Sequence, residues 1–329
     1  MKAIVAHQWC EPSGLVLEDV ERPQPKDGEL LIKVGSAALN FPDILMVAGK
    51  YQVKPPLPFT PGFEIAGTVE AVGGASRGTG EKFAPGDRVL SQISLGGFSE
   101  FAIAPAATTQ RIPAAMTYDE AAAFPLVYQT SYFALVLRAG LQKGETVLVH
   151  SAAGGVGLAA VQIARALGAG KIIGTAGSDQ KLDIIRQNGA DVAINYQTDD
   201  FVEVVKRETG GRGADIIFDP VGGEIGQRST KCIAFEGRLL IIGFTSGGFS
   251  NFVSNHILIK NYSVVGVHWG MYQQQDPAKI ARAWKALWEL YDAGSIKPVV
   301  GSRFPMSQVA DAMNLLSSRA AVGKIVLHW

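Results

Sequence analysis

The 329-residue sequence lacks most of the features that mark secreted, membrane-spanning or nucleic-acid-binding proteins. Its only two cysteines, Cys10 and Cys232, lie far apart without His or Cys at ligand spacing, so neither a disulfide framework nor a cysteine zinc site is expected. Its 30 basic and 30 acidic side chains balance, so the sequence has no excess of positive charge that would indicate binding to nucleic acid or an anionic membrane. No apolar run reaches about 18 residues, and the N-terminus has no signal-type apolar run. We therefore expect a cytoplasmic protein.

The stretch from Glu145 to Gly168, ETVLVHSAAGGVGLAAVQIARALG, predicts a strand, a tight Gly-rich turn and a helix. Such a turn points backbone N–H groups and the positive end of the helix dipole at one place, where a dinucleotide pyrophosphate usually binds. Ala152 replaces the first glycine of the dinucleotide pattern. An ordinary loop between a strand and a helix is the alternative. The predicted cofactor-binding residues are Ala153, Gly154, Gly155, Val156 and Gly157.

The first 119 residues alternate short apolar runs with Gly- and Pro-rich turns, which predicts an antiparallel, barrel-like β domain. Within it, the segment Asn40 to Gly62 contains five prolines and predicts neither a helix nor an interior strand. We expect this segment to cross a surface or line a cleft.

From Glu145 onward, six short Val/Ile/Leu-rich strands alternate with helices, as a doubly wound parallel sheet requires. The helix predicted from Asp276 to Ala293 has an N-cap, a first-turn proline and a stop at Gly294. The C-terminal tail again has a pattern typical of β-strands and is assigned to the first domain. The domain with the parallel sheet is therefore predicted to be inserted within the first domain. The predicted domains are residues 1–124 with 270–329, and residues 125–269. The apolar edge strand YSVVGVHW favours a homodimer.

The second strand of the predicted sheet, KIIGTAG, indicates which cofactor is bound. An acidic residue normally ends this strand and holds the ribose of NAD, but Ala176 stands there instead. Ser178 and Lys181 supply a hydroxyl and an ammonium for a 2′-phosphate, which favours NADPH, although Lys181 is open to interpretation as a solvated helix residue. Asp179 lies in the first helical turn and is interpreted as an N-cap or as a partner of the helix dipole rather than as a ribose ligand. Tyr196, which ends the third strand, is expected either to flank the adenine or simply to pack.

Several motifs then occur in a characteristic order, namely NFPD at 40–43, PFTPGFEIAG at 58–67, PGDRV at 85–89, Thr130 and the Gly-rich turn at 152–157. With these motifs the sequence resembles the medium-chain dehydrogenase/reductase superfamily, and within it the zinc-independent quinone oxidoreductases. The resemblance implies an α/β fold in which a Rossmann domain is inserted in a GroES-like β-barrel catalytic domain. It also implies NADPH-dependent hydride transfer to a quinone or an α,β-unsaturated carbonyl.

The resemblance places Asn40, Phe63 and Leu126 where zinc alcohol dehydrogenases carry their ligands, and none of these side chains suits Zn²⁺. It leaves Glu64 as an internal salt-bridge or hydrogen-bond residue, and no metal is expected. Two alternatives stay open, an enoyl- or acrylyl-thioester reductase and a crystallin-like NADPH-binding protein without turnover.

With the fold that the resemblance implies, the irregular segment that carries Asn40 and Tyr51 is expected to border the nicotinamide. Tyr51 is a candidate donor to the substrate oxygen and Asn40 a candidate for fixing the carboxamide or ribose, the alternatives being an aromatic wall and a turn residue. Lys324 is a candidate for the phosphates, with a surface lysine as the alternative. The residues expected near the nicotinamide are Thr130, Gly243 and Phe244.

Overall fold

The computed structural model describes residues 1–74 and 82–329. Contacts divide the chain into a first unit, residues 1–126 with 298–329, and a second unit, residues 127–297. None of the described helices is long and apolar enough to cross a membrane.

The strands of the described residues, in chain order, are β1 Lys2–Val5, β2 Val16–Asp19, β3 Glu29–Leu39, β4 Glu64–Val72, β5 Arg88–Gln92, β6 Phe101–Pro105, β7 Thr109–Arg111, β8 Thr146–Val149, β9 Lys171–Ala176, β10 Val192–Asn195, β11 Ala214–Asp219, β12 Ile233–Ile241, β13 Ser263–Gly266, β14 Val300–Pro305 and β15 Lys324–His328. The helices are α1 Phe41–Val47, α2 Tyr118–Ala122, α3 Pro125–Tyr132, α4 Gly155–Ala166, α5 Leu182–Gln187, α6 Phe201–Glu208, α7 Gly223–Ser229, α8 Ser254–Lys260, α9 Tyr272–Gln275, α10 Pro277–Asp292 and α11 Val309–Ser317.

The first unit is built on a seven-stranded sheet in the order β14-β15-β3-β4-β5-β7, with β6 also paired to β3. All of its pairings are antiparallel except the one between β14 and β15. The long strand β3 alternates buried and exposed positions near its middle and is fully buried at its C-terminal end. That end leads directly into Asn40 and α1, so the polar residues that follow lie against the core of the sheet.

The second unit contains a six-stranded parallel sheet in the order β10-β9-β8-β11-β12-β13. The strand order reverses between β8 and β11, and open α/β sheets bind ligands outside the carboxyl ends of the strands at such a reversal. This topology confirms the predicted doubly wound fold. It also brings the turns after β8, β9, β11 and β12 to one edge of the sheet.

The structure corrects the expectation that Asn40 to Gly62 contains no helix, because α1 occupies its first third. Pro42 lies in the first turn of α1, where a backbone N–H has no intrahelical partner, so the proline removes no hydrogen bond. The remainder, up to Gly62, is irregular as predicted.

The second domain boundary also differs from the prediction, since residues 270–297 belong to the second unit. Two contacts explain the difference. Ala283 of α10 packs in one cluster with Phe133 and Trp269, and the backbone of Lys297 bonds to the side chain of Gln162 in α4.

Candidate functional site

The Gly-rich turn of the second unit lies between β8 and α4. Its backbone is tied to the neighbouring strand, because the Ala152 N–H donates to the Thr175 carbonyl at 2.9 Å. A Cβ atom on Gly157 would lie 2.3 Å from the Ser151 carbonyl oxygen, so only glycine allows this approach. The first α-type bond of α4 runs from Leu158 N to Gly154 O at 2.9 Å, which leaves the N–H groups of Gly155, Val156 and Gly157 at the open helix end. These residues fit a pyrophosphate.

The end of β9 lies beside that turn and carries no carboxylate at the position expected to bind ribose. Ala176 is the last strand residue, Ser178 precedes the 3-10 turn Asp179–Lys181, and Lys181 is the last residue of that turn. The carboxylate of Asp179 accepts from the Asn195 amide at 2.9 Å, so it joins two strand ends. Ser178 holds the N-cap position, and Asp179 lies in the first turn, where the alternative role near the helix dipole places it. Partial burial lowers the pKa of the Lys181 ammonium. The hydroxyl and the ammonium predicted to bind a 2′-phosphate therefore share one loop.

Tyr196 lies against the same strand end. A Cβ atom on Gly177 would lie 2.6 Å from the Tyr196 hydroxyl oxygen, and the Tyr196 N–H donates to the Ala176 carbonyl at 3.0 Å. Tyr196 thus packs on Gly177 with its hydroxyl end, and the residue is 38% exposed. Its contact with an adenine stays a prediction.

Phe244 and Gly243 follow β12, and Phe244 contacts the turn after β11. A Cβ atom on Gly222 would lie 2.8 Å from Cδ1 of the Phe244 ring, and Phe244 remains 41% exposed. Thr130 is buried in α3, and the next residue, Ser131, donates from its hydroxyl to the Val156 carbonyl at 3.0 Å. The structure thus joins the segment that carries Thr130 to the Gly-rich turn.

The first unit contains a buried polar network that links β15, β4 and the start of α1. The Lys324 ammonium donates to the Glu64 carboxylate at 2.9 Å, to the Leu39 carbonyl at 3.1 Å and to the Asn40 Oδ1 atom. The Asn40 Nδ2 atom donates to Glu64 at 2.6 Å, and the other Glu64 oxygen accepts from the Leu126 N–H. Because a lysine only donates and a carboxylate only accepts, the orientation of the Asn40 amide is fixed.

Asp43 is a second buried carboxyl group beside this network, and it is not among the site residues predicted from the sequence. Its oxygens accept from the Asn40 N–H at 2.8 Å and from the Gly62 N–H at 3.1 Å. Burial raises the pKa of Asp43 to about 7, against the opposing effect of the two N–H groups and Lys324. The spacing of Asn40 and Asp43 at a helix start was the signal for this contact. The contact ties the start of α1 to the loop before β4.

This network confirms that Glu64 is an internal salt-bridge and hydrogen-bond residue. It corrects the prediction for Lys324, which is neither at the surface nor available for phosphates, because its side chain is 6% exposed and its ammonium bonds to three internal acceptors. The network also restricts the role predicted for Asn40, because both amide atoms of its side chain already make hydrogen bonds to Glu64 and Lys324.

Tyr51 follows α1 and is half buried. Its N–H donates to the Leu45 carbonyl at 3.1 Å, and its ring contacts the edge of the Phe63 ring. Burial, with a smaller contribution from the charge of Asp43, raises the pKa of Tyr51. The phenol therefore keeps its proton at neutral pH and is able to donate a hydrogen bond.

The three positions to which the sequence resemblance assigns the zinc ligands of alcohol dehydrogenases hold an amide, a phenyl ring and an aliphatic side chain. Zinc in proteins is bound by thiolate, imidazole and carboxylate groups, so Asn40, Phe63 and Leu126 do not fit the ion. Within residues 1–74 and 82–329, no group of three or more His, Cys, Asp or Glu residues is arranged to hold a metal.

Comparison with known proteins supports the assignment of both units. Residues 26–114 match the alcohol dehydrogenase GroES-like domain family, and residues 155–289 match the zinc-binding dehydrogenase family. Quinone oxidoreductase-like protein 2 of Rattus norvegicus is 37% identical over 326 residues, covering 99% of this chain and 91% of its own length.

Two solved structures are similar over the full chain. Escherichia coli quinone oxidoreductase complexed with NADPH has a TM-score of 0.90 and 32% identity, and covers 100% of both chains. A mycobacterial protein complexed with NADPH has a TM-score of 0.92 and 32% identity, again over 100% of both chains.

The GroES-like unit and the doubly wound unit with its Gly-rich turn together define an oxidoreductase of the medium-chain type. Full-length similarity above 30% identity narrows this class. The chain belongs to the quinone oxidoreductase family of the medium-chain dehydrogenase/reductase superfamily.

Proposed function

We propose that this protein uses NADPH to reduce quinones or α,β-unsaturated carbonyl compounds, without a metal ion. The observation that carries the proposal is the end of β9, where Ala176 replaces a ribose-binding carboxylate and Ser178 and Lys181 follow in the same loop. Ala176 therefore removes the carboxylate that would repel a 2′-phosphate at the ribose position, and the Lys181 ammonium attracts the phosphate. The Asp179 carboxylate in the same loop accepts a hydrogen bond from the Asn195 amide. The two similar structures that contain NADPH support this choice.

The cofactor, when bound, supplies the hydride. The residues of the second unit bind and orient it: Ala153, Gly154, Gly155, Val156 and Gly157 offer the open helix end, and Thr130, Gly243 and Phe244 come from the neighbouring segments. Their proposed role is to position the cofactor. Correct placement of a hydride donor relative to its acceptor supplies a large part of the rate acceleration.

The first unit acts on the acceptor. Hydride addition to a quinone or an enone leaves a delocalised anion, which a hydrogen-bond donor stabilises without a Lewis acid. Tyr51 is the candidate donor because its phenol is half buried and protonated. Asn40 is proposed to shape this site through its fixed amide rather than through a free donor.

An NADPH-oxidation assay with 1,4-benzoquinone, a short enone and an enoyl-CoA tests the function. Turnover of the first two supports the proposal, a preference for the thioester indicates an enoyl reductase, and NADPH binding without turnover indicates a binding protein. Inductively coupled plasma analysis of purified protein checks the metal, and stoichiometric zinc would contradict its proposed absence.

The cofactor assignment is tested by Ser178→Ala combined with Lys181→Ala. We expect the ratio of kcat/KM for NADPH to that for NADH to fall about tenfold or more, since each unit of 1.4 kcal/mol lost from a charged contact is tenfold. A variant of the exposed Lys285, which pairs only loosely with Glu289, serves as the control for charge alone. An unchanged ratio would refute the 2′-phosphate site.

The catalytic assignment is tested by Tyr51→Phe. Loss of the hydroxyl is expected to lower kcat by about tenfold to a hundredfold, the usual effect of removing one donor to a developing anion, with little change in NADPH affinity. Wild-type turnover in the variant would reduce Tyr51 to an aromatic wall.

We also propose a cytoplasmic homodimer. Strand β13 is at the edge of the parallel sheet, and the adjacent α8 exposes Leu258 and Ile259, each 75% accessible. An unpaired apolar sheet edge favours continuation of the sheet by a second copy. A monomeric mass by light scattering would contradict this assembly.

A further inference from the structure

Phe63 and Tyr51 form an aromatic pair on the surface of the first unit. Their ring centroids are 6.1 Å apart and the ring planes cross at 64°. Both side chains, together with Leu95, are only partly buried and pack on a buried base of Ala6, Met46 and Phe59. The result is an apolar floor that presents aromatic surface to solvent.

The backbone around Phe63 is held on both sides. Gly62 donates its N–H to the Asp43 carboxyl group, and the Glu64 carboxylate belongs to the network with Lys324. The Phe63 carbonyl itself accepts from the Ile93 N–H at 2.8 Å. Three consecutive residues are therefore anchored to different elements, so little freedom remains to be lost when a ligand contacts the Phe63 ring.

The position of the Phe63 segment depends on a glycine at residue 62. Its φ is +106°, and a Cβ atom there would lie 2.7 Å from the Gly97 Cα atom. The close approach also lets the Gly97 N–H donate to the Gly62 carbonyl at 3.2 Å. A larger residue at 62 would push the Phe63 segment away from this neighbouring loop.

Tyr51 is anchored equally well by a different element. The N–H groups of Lys50 and Tyr51 both donate to the Leu45 carbonyl, at 2.8 Å and 3.1 Å, which fixes the exit from α1. The start of α1 is in turn held by Asp43 and Asn40. The two rings therefore form one preorganised surface, with one phenol hydroxyl and one ring that has no polar group.

We propose that Phe63 determines acceptor specificity, and that with Tyr51 it selects planar conjugated rings such as quinones over short aliphatic enones. This inference rests on the proposed function. A flat ring gains stacking or edge-to-face contact with Phe63, whereas a short enone is too small to cover it. Phe63 carries no proton for the reaction, so its role is in binding.

The test compares Phe63→Leu with wild type on 1,4-naphthoquinone and 3-penten-2-one. Loss of one aromatic contact is expected to lower kcat/KM for the quinone about five- to tenfold, mainly through KM, and to leave the enone within about twofold. The Kd of 1,4-naphthoquinone, measured by isothermal titration without NADPH, is expected to weaken by the same factor.

Two matched variants separate recognition from packing. Phe63→Tyr keeps the ring and is expected to keep the preference for the quinone. Phe59→Leu makes the same change in the buried base, where it is expected to lower the melting temperature but not the ratio of quinone to enone turnover.

The outcomes distinguish the two proposals. A wild-type protein that turns over neither acceptor would overturn the proposed function, and this inference with it. A wild-type protein that turns over both, with Phe63→Leu lowering both equally or neither, would overturn only the role of Phe63. Loss of preference in Phe63→Tyr would count against aromatic recognition as well.

Discussion

The two units bury their polar side chains in different chemical forms. The first unit buries Asp43, Glu64 and Lys324, three ionisable groups within one network. The second buries mainly neutral polar groups, of which His150 and Gln162 have the most side-chain partners. A buried charge depends on its counter-charge, whereas a buried neutral group depends on the number of hydrogen bonds it makes. The units should therefore differ in which substitutions destabilise them.

Lys324→Met is expected to have the largest effect on stability. It leaves the fully buried Glu64 without its cation, and breaking a buried pair by removing one partner costs about 3–5 kcal/mol. Urea unfolding, with hydrogen exchange followed in β3 and β15, measures the loss. The exposed pair of Lys285 and Glu289 is the control, since Lys285→Met is expected to cost about 1 kcal/mol or less.

The double variant Lys324→Met with Glu64→Gln sharpens the result. Removing both charges should recover a large part of the loss, because no uncompensated ion remains. A single variant that loses less than the surface control would show that the network does not stabilise the first unit through charge.

The free energies of unfolding of the two units are expected to change in opposite directions with pH. Burial lowers the pKa of His150 to about 4, so the native state binds fewer protons than the unfolded state between about pH 4 and 6.5. The free energy of unfolding of the second unit should fall by about 3 kcal/mol as the pH is lowered through that window. His150→Gln, which stays neutral, should abolish this loss.

Asp43 predicts the reverse slope in the first unit. Its pKa in the folded protein is about 7, so between about pH 4 and 7 the native state binds more protons and loses stability as the pH rises. The slope is at most about 1.4 kcal/mol per pH unit, and Asp43→Asn should flatten it. Denaturant unfolding at several pH values, with the two units followed separately by hydrogen exchange, measures both slopes. If the wild type and the variants show the same dependence of unfolding free energy on pH, then His150 and Asp43 do not cause the opposite responses of the two units.

The sequence predicted features that depend on neighbouring residues. The strand, Gly-rich turn and α4 are contiguous, and α10 carries its own start and stop signals, so both were predicted correctly. The unit to which α10 belongs was not, because an apolar stripe shows that a helix packs without showing which surface it meets. The contact of Ala283 with Phe133 decides that point.

The buried polar network of the first unit is likewise not predictable from the sequence, because its members are far apart in the chain. Lys324 and Glu64 are 260 positions apart, and nothing local to Lys324 distinguishes a buried lysine from a solvated one. For the same reason the sequence shows that Phe63 is a poor metal ligand but does not show what its ring contacts. Its contact with Tyr51 depends on where α1 ends and β4 begins.

The two buried glutamines of the second unit provide the smallest and most closely matched test. Gln162 accepts from the Tyr128 hydroxyl at 2.6 Å and the Lys297 N–H at 2.9 Å, and donates to Asn188 and the Lys297 carbonyl. Both polar atoms of Gln129 are buried without a hydrogen-bond partner among the described residues. Replacing Gln162 with Met should cost about 2–3 kcal/mol, because it leaves several buried groups unsatisfied.

The same replacement at Gln129 removes an amide that makes no bond to the protein. It is therefore expected to raise the free energy of unfolding by about 1 kcal/mol, since an unpaired buried polar group costs about that much and Met fills a similar volume. Denaturant unfolding of the two variants under one condition gives the comparison. A loss of stability in Gln129→Met would indicate that the amide binds a buried water, which would make it a satisfied polar group like Gln162.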